Sequence, residues 1–160
     1  MRDSLSLFEE IVRRAYQFTD REEVVAPTAH PFEQRNISDQ LPKKVRTLFD
    51  DAHYAQATFE AFKFLDKEVQ RHSGLAESGF KLMMSAFGGD KAGIRLTPLS
   101  SVSEQDEQKG YQFLFAGGIL AIRNPRGHEY AIEDDPETCL DHLGLISMLI
   151  RRLSEAGYTP

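Results

Sequence analysis

Four residues of one short stretch carry side chains suited to chemistry at a phosphate. Arg123, Asn124, Arg126 and His128 lie within residues 122–129, whose sequence reads IRNPRGHE. An arginine can bind two phosphate oxygens at once, and a neutral histidine can take or give a proton around neutral pH. Together these residue types suit reactions at phosphodiester bonds.

The relative position of Arg123 and His128 depends on the backbone between them. Five steps along an unbroken α-helix turn through about 500°, which leaves the two side chains about 140° apart. Pro125 biases the preceding Asn124 away from the helical region, and Gly127 disfavours a return to it. We therefore predict that the backbone breaks or bends at Asn124, and that His128 folds back beside the helix end that holds Arg123.

Simpler roles are open to the same side chains. Arg123 could satisfy carbonyl groups at a helix end, His128 could cap a loop, and Arg126 could be solvated. Cys139 and His142 are three residues apart, a spacing at which two side chains can ligate one metal ion. Two ligands are too few for a metal site, so we expect a buried thiol near a helix-surface histidine, and no metal or other cofactor.

Helices are the elements that must position these residues. Apolar residues recur three or four apart in several segments, and glycine or proline follows most of them. The predicted elements are a first helix over Ser6–Phe18, a connecting arm over Thr19–Pro42 anchored at Phe32, one long helix over Lys43–His72, a shorter helix around Phe80–Phe87, a third main helix from Ser101 to Arg123, and a last helix from Asp135 to Gly157. The buried face of the third main helix is predicted to comprise Tyr111, Leu114, Phe115, Gly118 and Ile122.

No segment alternates apolar and polar residues for long enough to form a convincing strand. The predicted fold is therefore all-α, an antiparallel helical bundle over residues 41–160. Residues 1–40 are predicted to form an N-terminal helical arm.

Composition limits the classes of function. The chain has 160 residues and a net charge of −6, from 19 Lys and Arg against 25 Asp and Glu. This balance argues against a broad basic surface that coats nucleic acid or an anionic membrane, so any nucleic-acid site must be local. The single cysteine, Cys139, cannot form an internal disulfide, and no apolar run reaches the roughly 18 residues of a membrane span. We expect a soluble, cytoplasmic protein.

The stretch Arg123-Asn-Pro-Arg-Gly-His128, placed between the last two helices of an all-α bundle, resembles the signature of the HEPN superfamily. That signature is an arginine followed by a polar residue, with a histidine a few residues further on. More narrowly, the core Arg-Asn-Pro-x-x-His is similar to the Ymh-type branch, and residues 51–61 resemble that branch's first bundle helix. The resemblance covers roughly Leu41 to Ala156, and the first 40 residues carry none.

The resemblance implies an HEPN-like, metal-independent endoribonuclease that works as a homodimer with the two motifs facing one cleft. Cleavage of RNA needs a base for the 2′-hydroxyl, an acid for the departing 5′-oxygen and positive charge at the phosphorus. We assign proton transfer to His128, phosphate binding to Arg123, and orientation of the histidine or the phosphate to Asn124. The products would end in a 2′,3′-cyclic phosphate and a 5′-hydroxyl.

We also assign to Arg126 a positive charge that binds the RNA backbone. This assignment is our own, since the family motif does not include that position. The expected partners are RNA, with tRNA among the candidates, a second copy of the chain, and an antitoxin or defence-system protein. Proteins of this class often act as toxins or antiphage effectors. Two alternatives stand beside the enzyme: a noncatalytic HEPN-type module that dimerises or binds a nucleotide or partner, and an antitoxin-like binding protein.

Overall fold

The computed structural model describes residues 4–19, 29–89, 92–129 and 132–160. Every regular element in these ranges is helical, which confirms the predicted all-α fold class. The elements in chain order are α1 (Ser4–Thr19), α2 (Pro31–Gln34), α3 (Lys43–Asp50), α4 (Tyr54–Ser73), α5 (Gly79–Phe87), α6 (Val102–Gly118), a π-helical segment (Ile119–Arg123), α7 (Asn124–His128) and α8 (Pro136–Glu155). The chain divides into two units, residues 1–30 and residues 31–160.

The first unit contains α1, which confirms the helix predicted over Ser6–Phe18. Along α1, the side chains of Leu7, Phe8 and Ile11 are largely exposed. The part of the predicted arm at residues 20–28 lies outside the described residues.

Residues 31–40, predicted to belong to the arm, are part of the second unit. The short helix α2 buries Phe32, and the centroid of this ring lies 5.2 Å from that of Phe49. Arg35 forms ion pairs with Glu137 and with a second carboxylate of α8. Phe32 is thus the anchor that the sequence predicted, and the second unit begins near residue 31.

The single long helix predicted over Lys43–His72 is wrong, because α3 and α4 replace it. Between them the exposed Ala52 adopts a left-handed φ of 60° and ends the first helix. This turn lets α3 pack on α4, and it brings the ring of Phe49 to 5.3 Å from that of Tyr54. Periodicity did not reveal the turn, because both helices place apolar residues three and four apart.

Both main helices that flank the site begin at the caps that the sequence predicted. The hydroxyl of Ser101 accepts a hydrogen bond from the Glu104 N–H at 3.2 Å at the start of α6. The carboxylate of Asp135 accepts one from the Thr138 N–H at 2.9 Å, and Pro136 opens α8. The predicted apolar face of α8 is buried in full: Leu140, Leu143, Ile146, Leu149, Ile150 and Leu153.

The helix α6 runs antiparallel to its neighbours, as expected for the predicted bundle. Phe87, at the end of α5, stacks on Phe115 with ring centroids 4.3 Å apart, while Gly79, at the start of α5, lies against Ile119. Near the start of α6, Glu107 pairs with α8 close to its C-terminal end. None of the helices in the described ranges has the length and apolar character that crossing a membrane requires.

Candidate functional site

One continuous helix carries the predicted site residues. From α6 through the π segment into α7 the junctions keep helical dihedral angles, with φ −64° and ψ −44° at Asn124. Of the break or bend predicted at Asn124, the break is therefore wrong, and the helix ends only at Glu129. The Asn124 N–H donates to the carbonyl of Ile119, five residues back, so the hydrogen-bond register changes just before Pro125, which has no N–H to donate.

The π segment also determines which residues of α7 face α4. In a regular α-helix, residues four apart are offset by about 40°, so a face lined by every fourth residue drifts around the helix. A π turn contains an extra residue and reverses part of that drift. In the regular turn of α7 that follows, Arg123 and Gly127 are four residues apart and lie on nearly the same side, so both meet the ring of Phe59 on α4.

The guanidinium of Arg123 is held by two neighbours. Its Cζ lies 5.2 Å from the centroid of the Phe59 ring, a cation–π distance, and its Nη1 donates to Oδ1 of Asn124 at 3.1 Å. Its Nε is buried and makes no hydrogen bond with any described residue. Nη2 has no hydrogen-bond partner within the same ranges, so the outer edge of the guanidinium keeps N–H groups for a ligand.

His128 is exposed at the last residue of α7. Since α7 is a regular helix, His128 lies about 7.5 Å along the axis from Arg123 and about 140° around it. No hydrogen bond joins the imidazole to Arg123 or Asn124 in this part of the chain. The structure therefore does not fold His128 back beside Arg123 as predicted, and Oδ1 of Asn124 accepts its hydrogen bond from the arginine.

Arg126 is bound to Asp134, in the loop before α8. Its Nε and Nη2 each donate to one carboxylate oxygen at 2.6 Å, and its Nη1 donates to the carbonyl of Ile122 at 2.8 Å. The two side chains are only 9% and 5% exposed. The solvated alternative for Arg126 is thus wrong, and because all three nitrogens are engaged we regard this residue as fastening α7 to the loop rather than as a phosphate ligand.

Cys139 and His142 lie on α8 beside that ion pair. Cys139 is fully buried and accepts a hydrogen bond from the Thr58 hydroxyl at 3.5 Å, and burial raises the pKa of the thiol to about 11. Burial, and secondarily the Arg126 guanidinium, lowers the pKa of His142, which is half-buried. Among the described side chains, no three histidine, cysteine or carboxylate groups cluster as metal ligands. The buried thiol that the sequence analysis expected at Cys139 is confirmed.

The same continuous helix exposes an apolar surface, here called the α6 face. It comprises Gly110, Phe113, Leu114, Gly117 and Leu120, all exposed, and the three large side chains are between 45% and 54% exposed. Leu114, predicted to be buried, is therefore on the surface. A Cβ at Gly110 or Gly117 would meet no atom within 4 Å, so the backbone is open to close approach. Exposed apolar surfaces are a feature that protein–protein and ligand-binding sites share.

Sequence reasoning missed two residues of the site. Phe59 lies within the long helix predicted over Lys43–His72 and is half-buried, with its ring against Arg123. The one available signal was its place in residues 51–61, the segment that resembles the first bundle helix of the Ymh-type branch. Asp134 gave no signal, because it stands among the acidic residues of a loop.

The fold and the site together define an all-α bundle whose arginine and histidine lie on one helix beside an exposed apolar surface. The model of a family described as "Protein of unknown function (Hypoth_ymh)" matches residues 35–153. Because this match covers most of the chain, the protein belongs to that family. No curated protein and no solved structure matches the chain.

Proposed function

We propose that the protein is an HEPN-superfamily endoribonuclease that cleaves RNA without a metal ion. The observation that carries the proposal is the pairing, on one helix, of a restrained arginine with unengaged N–H groups and an exposed histidine. Arginine binds phosphate oxygens in the geometry of its fork, and histidine exchanges protons around neutral pH.

The reaction is an attack of the RNA on itself. A base removes the proton of the 2′-hydroxyl, and the 2′-oxygen bonds to the adjacent phosphorus. The bond from phosphorus to the 5′-oxygen then breaks, and an acid protonates that oxygen. His128 would supply one of these proton transfers, and Arg123 would stabilise the negative charge that develops on the phosphate oxygens. The products end in a 2′,3′-cyclic phosphate and a 5′-hydroxyl.

A homodimer would supply the second proton-transfer group. Within one chain, His128 lies about 140° around the helix from Arg123, so one protomer does not present both side chains on one face. We propose that two copies meet through the α6 face, which leads along the helix toward the motif. His128 of the partner subunit would then take the other proton-transfer role, and two arginines would concentrate positive charge on a chain whose net charge is −6.

The biological role of the proposed enzyme rests on the resemblance alone. We propose a cytoplasmic toxin or antiphage effector that acts on RNA, with tRNA as a candidate substrate, and that is restrained by an antitoxin or defence-system partner. The rival function is a noncatalytic HEPN-type module. It is favoured by the same 140° separation, which leaves the isolated protomer without a complete catalytic pair.

Cleavage of total cellular RNA, with tRNA included, in the presence of a chelator tests the proposal. The parent should cleave, and Arg123→Ala and His128→Ala should each lose most of the activity while remaining folded. Arg46→Ala and His53→Ala, which remove exposed side chains of the same types outside α7, should retain it. Loss of cleavage on addition of chelator would contradict the metal-free mechanism. Absence of cleavage by the folded parent would favour the noncatalytic module.

The proposed dimer is tested by light scattering of the purified protein. Leu120→Glu would place a charge in the α6 face, so we expect the parent to be a dimer and this variant to be a monomer with lost cleavage. Lys81→Glu, at a residue exposed on α5, is the matched control and should remain dimeric. A monomeric parent that cleaves RNA would contradict the two-subunit site.

A further inference from the structure

The Arg123 guanidinium depends on a ring that the sequence motif does not contain. Phe59 comes from α4, more than 60 positions earlier in the chain, and its centroid lies 5.2 Å from Cζ of Arg123. Because Nε of Arg123 is buried and has no hydrogen-bond partner among the described residues, the electron-rich face of the ring is the group that compensates its positive charge. The ring therefore supports the inner side of the guanidinium, while Asn124 engages one outer nitrogen.

Gly127, on the same helix as Arg123, also lies against this ring. A Cβ built at Gly127 would lie 2.8 Å from Cε2 of Phe59, closer than real Cβ atoms come. Only glycine lets α7 approach α4 this closely. Gly127 therefore acts as a contact surface for Phe59, which is a different role from the helix breaker that the sequence pattern indicates.

We propose that Phe59 is the positioning residue for Arg123, and that Gly127 is glycine because this ring must lie against α7. The inference rests on the proposed function, since the anion that Arg123 would bind is a phosphate of RNA. A long arginine side chain has many rotamers, and a support that selects one of them reduces the ordering required when the phosphate binds. Phe59 touches no reacting atom and acts through Arg123.

The variants are chosen so that loss of the aromatic face can be told from loss of volume. Phe59→Leu removes the ring, Phe59→Tyr keeps it, and Gly127→Ala displaces it. Phe64→Leu is the matched control, because Phe64 is also a partly buried phenylalanine of α4 but packs on the opposite flank, beside α3. Folding of every variant is checked by its thermal unfolding transition.

The first readout does not require RNA cleavage. In the parent, the N–H group at Nε of Arg123 is buried and should exchange slowly with solvent, which nuclear magnetic resonance of the arginine side chains measures. Phe59→Leu and Gly127→Ala should speed this exchange, whereas Phe59→Tyr and Phe64→Leu should leave it unchanged. Unchanged exchange in folded Phe59→Leu would overturn the positioning role.

The second readout concerns the anion. The probe is a short RNA with 2′-O-methyl groups, which cannot be cleaved by attack of the 2′-oxygen. Phe59→Leu should bind it about tenfold more weakly than the parent, and Phe59→Tyr should restore the binding. Equal binding by Phe59→Leu and the parent would overturn the role in phosphate recognition. If the parent itself binds no RNA, the proposed function fails, while the exchange measurement still decides whether Phe59 positions Arg123.

Discussion

Removal of the Asp134 carboxylate is expected to destabilise the bundle strongly. Asp134→Ala leaves the guanidinium of Arg126, which is 9% exposed, without the two bonds of 2.6 Å that compensate its burial. Breaking a buried ion pair by removing one partner costs about 3–5 kcal/mol. Because a small part of the pair reaches solvent, we expect a loss near the lower end, about 3 kcal/mol.

Urea unfolding followed by circular dichroism gives the free energy of unfolding for each variant. Replacing both partners, as in the double variant Arg126→Met with Asp134→Leu, should cost only about 1 kcal/mol, because no unpaired charge remains. Lys81→Ala removes an exposed ion pair of 3.1 Å with Glu77 and should cost less than about 1 kcal/mol. If Asp134→Ala were as stable as Lys81→Ala, or if the double variant were as unstable as Asp134→Ala, the reasoning would be refuted.

Three further predictions concern packing, the thiol and pH. Gly118→Ala should lower the free energy of unfolding, measured in urea, by about 1–3 kcal/mol, because a Cβ there would lie 2.9 Å from the buried Phe62 ring. Gly110→Ala is the control: a Cβ there has nothing within 4 Å, so the substitution should stabilise the exposed helix by up to about 1 kcal/mol. Cys139 should react with a thiol reagent only after unfolding, because its thiol is buried and has a pKa raised to about 11. Rapid labelling of the native protein would contradict the burial of this thiol. Burial lowers the pKa of His142 below its unfolded value of about 6.5, so the unfolded state binds more protons as pH falls, and the free energy of unfolding should decrease from neutral to mildly acidic pH. His142→Gln should flatten part of that decrease, and an unchanged slope would show that this histidine does not contribute.

Local signals in the sequence were sufficient for the starts of α6 and α8 and for the core of α8. Asp135 and Pro136 cap and open that helix through contacts between neighbours in the chain, and the spacing of its apolar residues needs only one buried side. The turn at Ala52 could not be predicted in this way, because it depends on the packing of Phe49 against residues of α2 and α4.

The geometry of the candidate site was harder to predict than its composition. The proline and glycine residues indicated a break or bend at Asn124. Instead, a π turn just before Pro125 shifts the hydrogen-bond register, and the helix continues through this residue. The ring that meets Arg123 comes from α4, more than 60 positions earlier in the chain. The carboxylate that binds Arg126 comes from the loop before α8, 8 positions later and outside any helical spacing. Such pairings are fixed by tertiary packing, so no local pattern of residue types can reveal them.

The mass of the RNA fragment ends formed by the purified protein in the presence of a chelator tests the central claim most directly. We predict 2′,3′-cyclic phosphate and 5′-hydroxyl ends, produced by the parent and by neither Arg123→Ala nor His128→Ala. Fragments with 3′-hydroxyl and 5′-phosphate ends, or equal cleavage by folded His128→Ala, would contradict the proposed mechanism.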